Sequence, residues 1–221
     1  MKKKQTKIYD DHFRKMIQLD KKKVILGSYS SYSWTNDPKH LVFSLARYKF
    51  VSKILNGKNK VLEIGAGDGF KSKIVDDTVK KLDLCDVTNS SKMEYENYSL
   101  NKNKYFLHDF IKEPTKNKYD AIYSLDVIEH INKKKCNSFI KNIKNSLKPR
   151  GVLILGTPSL SSQKYASKFS KKFHVNCFDK KELHEYLDKY FANVFSFGMN
   201  DEVVHTGYDK MCHYIFAICV N

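Results

Sequence analysis

Glu63, Gly65, Ala66, Gly67 and Gly69 close a short apolar run, Val61-Leu62-Glu63-Ile64, and lead into Phe70. Glycines at alternate positions after a buried strand let the backbone approach a bound molecule to contact distance, where a Cβ would collide. A dinucleotide-binding turn would read Gly-x-Gly-x-x-Gly and seat a pyrophosphate on the next helix's N-terminus. Here Phe70 takes the last position of that pattern, and Asp68 would set negative charge against a phosphate. Glu63 suits a ligand that carries positive charge. The chemistry implied is capture of a phosphate-free, partly cationic small molecule. About twenty residues further on come Asp83 and Asp86, at the spacing of a ribose-binding acid. Leu82-Asp83 has the usual apolar-then-acid ending and favours Asp83, with Asp86 as the alternative.

The elements that must hold these residues follow from the hydrophobic pattern. Strands are predicted at Val61–Ile64, Val79–Cys85, Tyr105–His108, Ala121–Leu125 and Val152–Gly156, then at Asn193–Phe197 and His213–Val220. A helix is predicted around Asp11–Leu19. Another starts at Pro38 and runs to about Leu55, with Leu41, Leu45, Tyr48 and Leu55 as its apolar stripe. Cys136, Phe139, Ile140, Ile143 and Leu147 lie at helical spacing, stopped by Lys148-Pro149-Arg150-Gly151. Asp179 caps a last helix carrying Leu183, Tyr186, Leu187 and Phe191. Alternating strands and helices predict an α/β Rossmann-like fold, a mostly parallel seven-stranded sheet with helices on both faces and an antiparallel last strand. Residues 1–56 read as an N-terminal lid, and 57–221 as the core.

At 221 residues with 41% hydrophobic content, the chain can bury a full core. No run approaches a membrane span, and no apolar stretch follows Lys2-Lys3-Lys4, so a cytoplasmic protein is expected. The net charge of +16 invites a nucleic-acid reading, but Arg14, Arg47 and Arg150 are the only arginines, and the lysines are scattered. A solvated lysine surface is expected rather than a nucleic-acid footprint. The five cysteines lack any Cys-x-x-Cys pair and read as small hydrophobes in a reducing compartment.

The acid followed by Gly-x-Gly-x-Gly, without a phosphate cradle, resembles motif I of the class I S-adenosylmethionine (SAM) methyltransferases. Further pieces follow in that family's order: Leu82-Asp83, His108-Asp109-Phe110, Ser124-Leu125-Asp126-Val127-Ile128-Glu129-His130 and Leu147-Lys148-Pro149-Arg150-Gly151. The resemblance implies SAM as cofactor, held by Glu63, Gly65, Ala66, Gly67 and the ribose acid. It implies Asp109 at the adenine amino group, Phe110 over the base, and Asp126 and Val127 beside the methionine moiety. The stretches Trp34–Leu41, Leu45–Phe50, Thr157–Leu160, His174–Cys177 and Met199–Gly207 resemble a narrower group. These are small methyltransferases of bacterial surface-sugar and capsule biosynthesis, themselves similar to ubiquinone-pathway O-methyltransferases. That likeness implies a sugar or nucleotide-linked sugar as acceptor, bound by segments 157–178 and 199–211. Ala66 departs from the cysteine common there, and no acid-proline pair follows Asp83.

A sugar hydroxyl must lose its proton to act as a nucleophile, so a base within hydrogen-bond reach is expected. His130, His174 and His205 are the candidates, with Asp201 and Glu202 near His205. Those adjacent acids point apart on an extended chain, so no metal is expected. An RNA methyltransferase is the alternative the charge suggests, although Ser124-Leu125-Asp126-Val127 stands where a base-holding Asn-Pro-Pro-Tyr would be. A non-catalytic SAM-binding partner subunit is the other alternative, and a homodimer stays open.

Overall fold

Strand–helix alternation begins at Val61, from apolar runs too short for helices and separated by polar turns. The computed structural model describes residues 2–19, 24–99 and 103–221, and gathers those runs into one eight-stranded sheet. The strands are β1 (Val61–Ile64), β2 (Leu82–Asp86), β3 (Lys104–Leu107), β4 (Tyr119–Leu125), β5 (Leu147–Pro158), β6 (Asn193–Asn200), β7 (Val203–His205) and β8 (Tyr214–Val220). Their spatial order is β3-β2-β1-β4-β5-β8-β6-β7. β1 to β5 pair in parallel, β8 lies antiparallel between β5 and β6, and β7 folds back along β6. The expected seven strands are thus eight. The addition is β7, three residues at the sheet's edge, too short to show any alternation in the sequence.

The helices are α1 (Lys2–Leu19), α2 (Ser28–Asn36), α3 (Pro38–Ile54), α4 (Lys73–Asp76), α5 (Asn89–Tyr98), α6 (Lys133–Ser146), α7 (Lys168–Phe173) and α8 (Lys180–Asp188). Strand side chains alternate between two cores. Val61, Leu84, Tyr123 and Ile154 pack with Tyr48 and Val51 of α3, Val75 of α4 and Tyr95 of α5. Leu62, Ile122, Leu153 and Ile215 pack with Phe139, Ile140 and Ile143 of α6 and Leu183 and Leu187 of α8. Each fully buried side chain of this kind is worth about 1.5–3 kcal/mol. Cys136, Phe139, Ile140 and Ile143 of α6 and Leu183 and Leu187 of α8 are buried as the sequence reading placed them, whereas Leu147 opens β5 and Phe191 lies past the end of α8; Asp179 and Glu182 form a reciprocal capping box at the start of α8.

α3 differs from the expected stripe. Its buried face carries Leu41, Ser44, Arg47, Tyr48, Val51 and Ser52, while Leu45 is only half buried. Of the three polar residues on that face, Ser52 bonds back to the Lys49 carbonyl, while Ser44 and Arg47 line the cavity at the strand ends and meet Lys71 and Asp126 there. β2 also begins later than the expected Val79 and ends at Asp86, which decides which of the two acids reaches the strand end. Among the described residues no helix is long and apolar enough to cross a membrane.

Candidate active site

A cavity of about 690 Å³ opens along the carboxyl ends of β1 to β5, lined at the last residues of β2 and β5 by Asp86 and Pro158 and just past β1, β3 and β4 by Gly65, His108 and Asp126. That volume lies within the usual range for small-molecule sites, and in parallel sheets this edge is where ligands bind. Gly65 and Gly67 have φ of +78° and +56°, a region costly for residues with a Cβ. A Cβ on Gly65 would stand 2.3 Å from Val127 Cγ2. The turn is braced from β2 and β3. Gly65 and Ala66 N–H groups donate to the Cys85 carbonyl, and Tyr105 Oη donates to the Gly67 carbonyl at 2.9 Å.

Asp86 stands beside this turn. Its Oδ2 accepts from Gly67 N–H at 3.2 Å, its Oδ1 accepts from Thr88 N–H, and the residue lines the cavity. Asp83, the favoured candidate, does not line it. Asp83 pairs with Leu62 in mid-sheet, is 1% exposed, and its Oδ2 accepts from Tyr119 Oη at 3.1 Å. The correction is one of register: β2 runs on to Asp86, so Asp83 falls inside the sheet and the later acid reaches the edge. Asp109 and Phe110 both line the cavity after β3; Asp109 Oδ1 accepts from Ile111 N–H, and the Phe110 ring packs edge-on against His108.

Glu63 is corrected too. It is buried within β1, where Oε1 accepts from Tyr48 Oη at 2.7 Å and Oε2 from Tyr123 Oη at 2.6 Å. Burial holds its carboxyl above the usual range, against the pull of those hydroxyls. Strand alternation turns it toward α3, so it ties β1 to α3 and β4 and does not line the cavity.

The N-terminal helices cover the cleft through polar contacts that the sequence did not announce. Asp68 accepts from Ser30 N–H at 2.8 Å and Glu94 from Ser28 N–H at 2.9 Å, so two carboxylates distant in sequence satisfy the first turn of α2. Gly27 permits this approach, since a Cβ there would lie 2.2 Å from Asp68 Cβ. Tyr29 and Tyr32 of α2 line the cavity, whereas Trp34 is exposed and does not. From α3, Arg47 Nη1 lies 3.0 and 2.9 Å from the two oxygens of Asp126, with its guanidinium 3.9 Å above the Tyr214 ring. Asp126 is itself left-handed, with φ +57°. Arg47 beside it lowers its carboxyl pKa, overcoming the burial that would raise it.

Beyond Asp126, a short 3₁₀ turn brings Glu129 and His130 to the cavity, and the segment after α7 brings His174. Their rings, His130 and His174, lie 5.0 Å apart in an edge-on arrangement. Glu129 is fully buried; Oε2 accepts from Thr157 Oγ1 at 3.0 Å, while Oε1 has no hydrogen-bond partner. Burial, with the Asp126 charge nearby, pushes its carboxyl up to about 8. Burial and His130 together lower the His174 pKa. Glu129 was missed as a site residue; its signal was an acid directly before His130 past a buried strand.

His205 is not brought to this place. It lies on β7, three strands beyond β5 in the sheet order, and does not line the cavity. Its Nδ1 accepts from Gly207 N–H at 3.0 Å and its Nε2 is 2.7 Å from Asn200 Oδ1, so both nitrogens are engaged. No residue of 199–211 lines the cavity, while Pro158, Ser170, Phe173 and His174 from 157–178 do.

A Rossmann-like sheet with six strands running one way and β8 and β7 running against them is the fold of the methyltransferase class, and the residues around the glycine turn fit its cofactor. The Gly65 and Gly67 turn is open to close approach, and Asp68 and Asp86 around it suit hydroxyl and ammonium groups rather than phosphate. A model of the methyltransferase-domain family matches residues 39–194, and the chain belongs to that family. No curated protein matches it. Among solved structures it is similar to a SAM-dependent methyltransferase from Clostridium acetobutylicum, with TM-score 0.69 and 14% identity, over 87% of this chain and 97% of that one. It is similar to DhpI in complex with S-adenosylhomocysteine (SAH), with TM-score 0.64, 16% identity and coverage of 86% and 89%. The N-methyltransferase NodS from Bradyrhizobium japonicum with SAH follows at TM-score 0.57, 16% identity and coverage of 86% and 91%. The chain is a SAM-dependent methyltransferase.

Proposed function

We propose that this enzyme methylates a hydroxyl of a small polar acceptor, a sugar or nucleotide-linked sugar in surface polysaccharide synthesis. The observation that carries the hydroxyl reading is one cavity holding both the glycine turn and the Glu129, His130 and His174 cluster. Bound SAM supplies an electrophilic methyl group on a sulfonium, and the transfer leaves SAH. In this reading Asp86 accepts from the ribose hydroxyls, Asp109 from the adenine amino group, and Phe110 covers the base. Gly65, Ala66 and Gly67 let the backbone close on the amino-acid part, with Asp126 and Val127 alongside. Residues 28–50 serve as the lid that excludes water, fastened by the Asp68–Ser30 and Asp126–Arg47 contacts. The cluster side chains orient the acceptor hydroxyl and draw off its proton, leaving the oxygen lone pair free to attack. Support for the sugar comes from the resemblance of Thr157–Leu160 and His174–Cys177 to the surface-sugar enzymes.

The test is a mass-spectrometric screen of sugar nucleotides, free sugars and small amines with SAM. A singly methylated sugar product is expected. Turnover of amines alone would overturn the O-transfer reading.

A further inference from the structure

We infer that Glu129, His130 and His174 form a binding site for one divalent transition-metal ion, whose open positions hold the acceptor's oxygen atoms. The inference rests on the acceptor reading above and names what holds that acceptor. One ligand atom from each of the three residues lies within 4.8 Å of the others, and all three line the cavity.

The hydrogen bonds around the histidines fix which nitrogen each presents. His130 Nδ1 is 3.1 Å from the Phe173 carbonyl oxygen, and His174 Nδ1 is 2.9 Å from Gln163 Oε1. Both oxygens only accept, so each Nδ1 donates, and the neutral form of each ring presents its lone pair at Nε2. Metal-binding histidines are held in this way, with the far N–H on a carbonyl or carboxylate. Glu129 is arranged to match: Thr157 Oγ1 orients one oxygen, and the other is buried with no hydrogen-bond partner. A buried carboxylate oxygen left so is costly, and a cation is the partner that would satisfy it. Arg47 is committed to Asp126, and among the described residues no lysine or arginine forms an ion pair with Glu129.

Two imidazoles and one carboxylate make a borderline donor set suited to manganese, iron, cobalt or zinc, and less to magnesium, which prefers oxygen. Ligands about 2.0–2.2 Å from such an ion stand roughly 3–3.5 Å apart, so the side chains draw in by about an ångström. Three protein ligands leave positions open, and an acceptor hydroxyl bound there is acidified and fixed in direction; with the ion in place its proton passes to water, because the lone pairs of the cluster side chains are then on the metal. This departs from the sequence expectation of no metal, which considered only Asp201, Glu202 and His205.

The experiment is titration of the chelator-treated full chain with Co²⁺, followed by visible spectroscopy and calorimetry, without acceptor. One ion per chain is expected, with d–d bands of a five- or four-coordinate site. His174→Ala and Glu129→Gln should each weaken Co²⁺ at least tenfold, and His205→Ala should not. Gln163→Ala, which leaves all three ligands in place, should weaken it less; it covers the event that a ligand variant fails to fold. SAH affinity, measured in parallel, should stay within about threefold throughout. Absence of saturable one-to-one binding, or binding indifferent to these substitutions, overturns the inference while intact SAH affinity leaves the cofactor reading standing. Lost SAH affinity in the unaltered chain would instead strike the methyltransferase reading.

Discussion

Exchanging the roles of Asp83 and Asp86 gives the sharpest test of the cofactor site. Asp86 lines the cavity with a carboxylate braced by Gly67 and Thr88 N–H groups, so its charge is fixed where a ribose would lie. A hydrogen bond to a charged group is worth about 1.5–3 kcal/mol. Asp86→Ala should therefore weaken SAH by roughly ten- to 150-fold. Asp83→Asn keeps an oxygen to accept from Tyr119 Oη and removes a buried charge 1% exposed to solvent. SAH affinity in that variant should stay within about twofold, with any effect appearing in thermal stability. Calorimetric titration with SAH, alongside thermal melts, separates the two. If Asp83→Asn weakens SAH and Asp86→Ala does not, the assignment of strand end and cavity is wrong.

Gly65→Val adds a Cβ 2.3 Å from Val127 Cγ2 at φ +78°. Strain of about 1–2 kcal/mol and overpacking of about 1–3 kcal/mol predict at least roughly thirtyfold weaker SAH, read by calorimetry. Arg47→Ala strands Asp126, in a pair whose side chains are only 10% and 31% exposed. The expected loss is about 3 kcal/mol, or about 6–12 °C in melting temperature; a change below 2 °C would mean the lid contact carries little. Under acceptor saturation, His174→Ala or Glu129→Gln should cut turnover about a hundredfold with SAH affinity nearly unchanged. His205→Ala should leave turnover near normal, and a large loss there would move the chemistry toward the sheet's far edge.

The sequence alone determined the fold class and the position of the glycine turn, because both are local. A strand of four residues followed by alternating glycines has few other uses, and the stripes of α6 and α8 needed only helical periodicity to face the sheet. That Asp109, Phe110, Asp126 and Val127 would lie at the cavity was legible for the same reason: each follows a strand whose end the pattern marked. Tertiary structure decided the rest. Whether Asp83 or Asp86 reached the edge depended on where β2 began, and a parallel neighbour sets that, not the strand's own residues. Glu63 turned inward because Tyr48 and Tyr123 converge on it from different elements. Arg47 gave no sign in sequence of its partner 79 positions away. His174 joined Glu129 and His130 because Val175 and Asn176 N–H groups donate to the Glu129 carbonyl, a contact made only once the segment after α7 folds over β4's end. His205, with acids beside it in sequence, was carried off by β7 to the opposite edge. Spacing along a chain fixes which residues share a strand or a helix face; convergence from separate elements is set by packing, and catalysis depends on convergence.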